Sequence, residues 1–212
     1  MRVIECIQGE PSWFEARCGK VTASRVADLT SKTKTGYGAG RANYMAELVA
    51  ERLTSQTAES YSNAAMQWGK DHEAEARSAY EFYADATVTE VGFVLHPTID
   101  MAGASPDGIV ATGGLVEIKC PNTATHIDTL LYRTIPDKYI KQMQWQMLCC
   151  EATFCDFVSY DPRMPTRMQL FVKRITRDDV MVREIEREVK AFLEELDAKV
   201  LDLIAQYGDK AA

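Results

Sequence analysis

The stretch GLVEIKCP, residues 114–121, constrains the fold more than any other part of the chain. Side chains on a β-strand alternate between its two faces, so Glu117 and Lys119 share one side while Val116 and Ile118 point to the other. The run is otherwise apolar, which predicts an interior strand. An acid and a lysine there need a charged partner or a bound cation, because an uncompensated buried charge is strongly unfavourable. Just upstream, the turn SPDG carries Asp107, a second carboxylate that a short hairpin would return to the same place.

Around this strand the hydrophobic pattern changes period. Residues 87–95, 99–104 and 114–119 are short β-branched segments punctuated by HPT, SPDG and GG turns, which reads as a strand meander closed by Pro121. Before it, Thr22 or Ser24 can cap a short helix, and helical spacing marks residues 42–53 and 64–83. After it come helices at residues 124–132 and 138–150, then strands at 154–160 and 167–174 with a turn at Asp161 and Pro162. From residue 178 to 204, Val182, Ile185, Val189, Phe192, Leu196, Val200 and Leu203 recur as one face of an amphipathic helix. Helices flanking a mixed central sheet predict an α/β (α+β) sandwich, and 212 residues suit a single domain over 1–212.

No apolar run approaches the length of a membrane span, and the start MRVIECIQGEPSW lacks the layout of a secretory signal, so a cytoplasmic protein with no membrane contact is expected. Six cysteines, Cys6, Cys18, Cys120, Cys149, Cys150 and Cys155, form no CxxC pair and are expected to be reduced, mostly buried thiols.

The net charge of −7 argues against a protein that coats DNA by charge alone. The charge is uneven. Between Phe14 and Arg41 six bases (Arg17, Lys20, Arg25, Lys32, Lys34, Arg41) face only Glu15 and Asp28. Between Asp178 and Asp202 nine acids outnumber four bases. An anionic ligand is therefore expected near the first segment and away from the second. Within the first lies SKTKTGYGAGR, residues 31–41, which reads as a mobile loop whose basic residues could touch a phosphate backbone. Trp13, Phe14, Tyr37 and Trp68 could stack on separated bases, or pack in the core.

Two carboxylates and a lysine around one strand suit a hard divalent cation, which takes oxygen ligands and keeps positions open for water and phosphate. The matching chemistry is metal-assisted phosphodiester hydrolysis, with Asp107 and Glu117 holding the ion and Lys119 orienting water or screening the phosphate. Each motif alone has an ordinary reading, a solvated strand face for the first and a simple turn for the second. His72, His96 and His126 are left structural, since this chemistry needs no histidine.

SPDG followed after a short hairpin by EIKCP resembles the core of the PD-(D/E)xK nucleases, specifically the YqaJ-type branch of phage recombination exonucleases that contains lambda exonuclease. QGEPSWFEARCGKVTAS from Gln8, WGKDHEAEAR from Trp68, YIKQMQWQM from Tyr139 and FVSYDPRM from Phe157 resemble that family in order and approximate spacing. The resemblance implies a restriction-endonuclease-like core. It implies a catalytic trio of Asp107, Glu117 and Lys119, metal ligation by the Ile118 carbonyl and Glu73, and an active-site role for Gln142. Arg17, Ser24 and Ser105 match residues that contact phosphate, the first two at a 5′ terminus; a guanidinium fork suits that task. Without the family, Glu73 and Gln142 would be solvated helix residues, Arg17 a surface residue, Ser24 a cap and Ser105 a turn former. One departure is that Thr123, Ala124, Thr125 and His126 stand where relatives carry a basic residue.

The implied activity is a 5′→3′ exonuclease, dependent on Mg²⁺ or Mn²⁺ with a pair of ions per site. It would load on double-stranded DNA ends, release 5′-mononucleotides and leave a 3′ single-stranded tail. The implied assembly is a ring-shaped homotrimer working with a phage-type single-strand annealing protein. The same core also serves endonucleases and repair nucleases, and an inactive DNA-end-binding scaffold is the alternative outside catalysis.

Overall fold

The computed structural model describes residues 1–34, 36–57 and 64–208, apart from the side chain of Met66. In chain order its strands are β1 (Arg2–Ile4), β2 (Val21–Thr22), β3 (Lys32–Thr33), β4 (Gly36–Tyr37), β5 (Val88–Thr89), β6 (Phe93–Leu95), β7 (Ala102–Ala104), β8 (Gly108–Val110), β9 (Gly114–Lys119), β10 (Phe154–Tyr160) and β11 (Leu170–Thr176). Its helices are α1 (Pro11–Arg17), α2 (Val26–Thr30), α3 (Ala39–Thr54), α4 (Ala64–Ala84), α5 (Thr123–Tyr132), α6 (Asp137–Cys149) and α7 (Asp179–Tyr207).

The larger sheet runs β11-β10-β9-β8-β5, with β9 and β10 parallel and the other neighbours antiparallel. β9 thus lies inside a mixed sheet, as its apolar flanks predict. Its two faces feed different cores. Leu115 joins Phe157, Phe171 and residues of α2, α3, α6 and α7 on one side. Val116 and Ile118 join Val158, Tyr160 and the α4 residues Ala76 and Tyr80 on the other. Helices therefore cover both faces. α7 buries Val182, Ile185, Val189, Phe192 and Leu196 of the stripe expected from its periodicity, while Val200 is half-buried and Leu203 exposed where the helix runs past the core; Asp178 caps it by accepting from the Val180 and Met181 amides.

The expected meander is divided between two sheets. β6 and β7 belong to a second sheet of order β1-β6-β7-β2, while β5 and β8 pair next to β9. The chain crosses over at residues 90–92. A Cβ on Gly92 would lie 2.5 Å from the Ile4 carbonyl oxygen, so only glycine permits this close passage. Gly108 allows a similar approach, with Val88 Cγ1 2.1 Å from where its Cβ would stand.

Smaller differences have local causes. The strand expected at residues 167–174 begins at Leu170, because Pro165 leads into a 3₁₀ turn over Thr166–Met168. Among the described residues neither Thr22 nor Ser24 caps a helix through its side chain; the Thr22 amide donates to the Tyr44 hydroxyl, and the two side-chain oxygens face each other at 3.5 Å. The segment expected as a loop at 31–41 contains the β3–β4 hairpin and the start of α3; Thr35 lies outside the described residues. The cysteines are free, four buried and two half-buried. Among the described residues no helix is long and apolar enough to cross a membrane.

The basic and acidic segments, far apart along the chain, meet in the fold. α7 packs on α3 through Phe192 and Tyr44, whose rings stack 5.6 Å apart, and this apolar contact brings the acidic helix onto the basic segment. Lys32 pairs with Glu188 at 2.8 Å, Arg41 forms a bidentate pair with Glu195, and Arg52 meets Asp197. The Tyr37 hydroxyl donates to Glu188 at 2.6 Å, which commits that ring to α7 rather than to a base. Arg25 is held by Asp28 and Glu47.

Candidate active site

The centre of the site is built by β9. Glu117 is fully buried on the face that meets α6, and Lys119, two residues on, is ion-paired with Glu117 Oε1. Helix residues four apart share a face, so α6 presents two amides to this carboxylate. Gln142 Nε2 donates to Glu117 Oε1 at 2.7 Å and Gln146 Nε2 to Oε2 at 2.6 Å.

Asp107, half-buried at the entry to β8, accepts the Ile118 amide at 2.6 Å. A residue's N–H and C=O leave a strand on the same edge, so the Ile118 carbonyl shares Asp107's side of β9. Gln8 holds this corner from outside, donating to the Pro106 and Val91 carbonyls at 2.9 and 2.8 Å.

Electrostatics follow from crowding carboxylates away from water. Burial, and then the neighbouring Glu117, push the Asp107 carboxyl well above the usual carboxylate range. Burial also raises Glu73 on α4, against the pull of Arg77 and Lys119; Arg77 bonds to Glu73 at 3.0 Å. For Lys119 burial works to lower the value, but Glu117 and Asp107 outweigh it and hold the ammonium above its ordinary value.

This donor set fits a hard divalent cation, which would relieve the repulsion between the carboxylates. Among the described residues no three His, Cys, Asp or Glu side chains converge as a metal group. A cation here would complete its shell with the Ile118 carbonyl, water and substrate oxygens, which is the usual manner of Mg²⁺.

Arg17, Ser24, Glu73 and Asp107 line one cleft of about 1110 Å³. Arg17 stacks on Trp13, its Cζ 3.7 Å from the ring centroid, and among the described residues no ion pair or hydrogen bond ties its guanidinium. Burial lowers its pKa. Ser105 reaches the same wall by accepting from Trp13 Nε1 at 2.8 Å. Trp13 and Phe14 pack edge to face and line the cleft, whereas Trp68 stacks on His72 beneath the Arg163 guanidinium.

His126 is buried between the Ser159 hydroxyl and the Met168 carbonyl, a structural post. His96 is buried against Trp145 and accepts the Thr98 and Ile99 amides. The residues that sequence reading missed are Gln146, Gln8 and Trp13 as a hydrogen-bond donor. Gln146 had a signal, since it stands one turn after Gln142 on the same helical face.

A family model described as the YqaJ-like viral recombinase domain matches residues 12–153. Two crystal structures of LHK-Exo, the alkaline exonuclease of Laribacter hongkongensis, are similar over 95% of this chain and 100% of theirs, each with a TM-score of 0.89. One, in complex with dAMP, is 52% identical, and the other 51%. A phage-related exonuclease from Haemophilus somnus 129PT is 15% identical, with a TM-score of 0.72 over 87% of this chain and 96% of that one, a likeness of fold. No curated protein matches. The mixed sheet flanked by helices is the PD-(D/E)xK-type exonuclease fold. This chain belongs to the YqaJ-like viral recombinase family.

Proposed function

We propose that the chain is a divalent-cation-dependent exonuclease that degrades duplex DNA 5′→3′, releasing 5′-mononucleotides and leaving a 3′ single-stranded tail. One observation carries the reading: the Arg17 guanidinium, without an ion pair or hydrogen bond among the described residues, shares a cleft with Asp107 and Glu73. A fixed cation beside a carboxylate centre suits anchoring of a terminal phosphate while the next phosphodiester lies at the ion site. The dAMP complex of LHK-Exo, a mononucleotide bound to a relative 52% identical, supports the same product class.

Asp107, Glu117 and the Ile118 carbonyl would hold Mg²⁺ or Mn²⁺, with Glu73 facing a second ion. When bound, such ions supply electrophilic stabilisation of the phosphate charge and acidify water. The chain's own groups do the rest. Lys119, kept protonated by its carboxylate neighbours, donates to a phosphate oxygen or to the attacking water and does not act as a base. Gln142 keeps Glu117 oriented, and Ser24 and Ser105 offer hydroxyl donors to the phosphates of the cut strand. Trp13 holds the Arg17 fork flat against the cleft wall.

The assembly we propose is a ring-shaped homotrimer, acting in the cytoplasm and passing the tail to a single-strand annealing protein. The description of the family as a viral recombinase supports that partner class. Apolar side chains exposed near the end of α7, Leu201, Ile204 and Tyr207, offer surface for contact between copies.

Digestion of linear duplex labelled at its 5′ or 3′ ends, with Mg²⁺ or EDTA, tests the reading. Wild type should release 5′-mononucleotides from the 5′-labelled strand, and both EDTA and Lys119→Ala should abolish release. Cuts in closed circular DNA would establish the endonuclease instead, and binding without cleavage the scaffold. Arg17→Ala should slow cutting of 5′-phosphorylated ends far more than of 5′-hydroxyl ends; equal losses on both would remove its assigned role.

A further inference from the structure

We infer that Gln146 is a positioning residue of the cation site, holding the one Glu117 oxygen that remains available to a metal; this rests on the metal-dependent reading above. A carboxylate oxygen has about two lone-pair sites. Oε1 of Glu117 already accepts from Gln142 and is ion-paired with the Lys119 ammonium, so two groups of the protein engage it. Among the described residues Oε2 accepts from Gln146 alone, at 2.6 Å, which leaves one lone pair free. Gln142 therefore acts on the oxygen that Lys119 already engages and Gln146 on the one open to a cation. The two amides on one face of α6 fix the carboxylate plane from both ends.

The surroundings of Gln146 favour a polar role over a packing one. Its side chain is completely buried, and its Oε1 has no hydrogen-bond partner among the described residues. A buried acceptor left unmade is unfavourable, and a methionine or leucine would fill the same space without it. Among the described residues the one hydrogen bond its side chain makes is from Nε2 to Glu117. Groups that orient a metal ligand from behind commonly change cation affinity by about 10–100-fold when removed.

The test is titration of Mg²⁺ into the metal-free full chain without DNA, followed by calorimetry, for wild type, Gln146→Met, Gln146→Ser, Gln142→Met and Asp107→Asn. Gln146→Met, which keeps the shape and loses the donor, should weaken Mg²⁺ binding about tenfold or more. Gln142→Met should weaken it less. Gln146→Ser should fall between wild type and Gln146→Met, because a serine leaves room for a water to bridge to Oε2.

That order distinguishes a hydrogen bond from packing, since a residue that merely fills space is better replaced by methionine than by serine. Wild-type affinity in Gln146→Met, or tighter binding in Gln146→Met than in Gln146→Ser, would overturn the role. Should Gln146→Met fail to fold in EDTA, a severalfold loss in Gln146→Ser supports it and no loss refutes it. Asp107→Asn separates the two levels. If it loses Mg²⁺ while Gln146→Met does not, only the Gln146 role falls; if wild type binds no Mg²⁺, or Asp107→Asn binds it as tightly, the metal reading falls as well.

Discussion

Asp107 shows how one residue can serve the site and burden the fold. Its folded pKa is raised, so the protein gains stability from it below the ordinary carboxylate value of about 4 and loses that gain as pH rises through the folded value. At neutral pH the ionised group opposes folding in the metal-free state. Asp107→Asn keeps the acceptor for the Ile118 amide and removes the charge. In EDTA near pH 8 it should melt about 2–4 °C above wild type, the equivalent of roughly 1 kcal/mol in a chain of this size, and it should be inactive. The advantage should vanish near pH 4; a variant that melts below wild type at pH 8 would contradict the assignment of unfavourable charge. For wild type, protons and Mg²⁺ compete for this carboxylate, so the Mg²⁺ concentration needed for half-maximal activity should fall as pH rises.

At the level of elements, the site depends on how α4 is fastened to the end of β9. Asp161, buried just beyond β10, accepts from the Arg163 amide at 3.0 Å and from its guanidinium at 2.7 and 3.0 Å. The same guanidinium donates to the Pro121 carbonyl at 3.2 Å and lies 4.2 Å over the Trp68 ring of α4. This clamp joins the exit of β9 to the helix that carries Glu73. Burial works to raise the Asp161 pKa, but Arg163 and Thr123 overcome it and bring it to about 2. Its stabilisation is therefore present above about pH 4 and is lost as pH falls toward 2. Asp161→Asn should cost about 2 kcal/mol in urea melts at pH 6, with the gap to wild type narrowing at pH 3. An equal gap at both values would mean that the loss is not electrostatic.

For the whole molecule, the pairing of the basic segment with α7 leaves few cations to meet DNA. Lys32, Arg41, Arg25 and Arg52 are engaged internally, and Arg77 is shared between Glu73 and Glu90. Arg17, Lys20 and Lys70 line the cleft with no ion pair among the described residues. Each phosphate neutralised adds about −0.9 to the slope of log affinity against log salt on duplex DNA. One protomer's cleft should thus contribute a slope of only about −2 to −3, measured by anisotropy with a 5′-phosphorylated end in Ca²⁺. A slope steeper than about −5 per protomer would reveal a basic surface outside this cleft.

The local periodicities were legible without a structure because they are properties of neighbouring residues. The two-residue alternation of Glu117 and Lys119, the turn that returns Asp107, and the apolar stripe of α7 all follow from strand and helix geometry. The SPDG and EIKCP motifs, with the segments around them, identified the family, and with it Arg17, Ser24, Ser105, Glu73 and Gln142 as candidates. What only the tertiary structure decided were pairings between distant segments. The glycine at position 92 divides the strand meander between two sheets because another stretch of backbone passes against it. The charge separation along the chain disappears because apolar packing lays α7 on α3, where Coulomb attraction then closes the ion pairs. Gln146 became visible as a brace of Glu117 only when α6 was docked on β9, since a hydrogen bond is set by distance in space and not by separation in sequence.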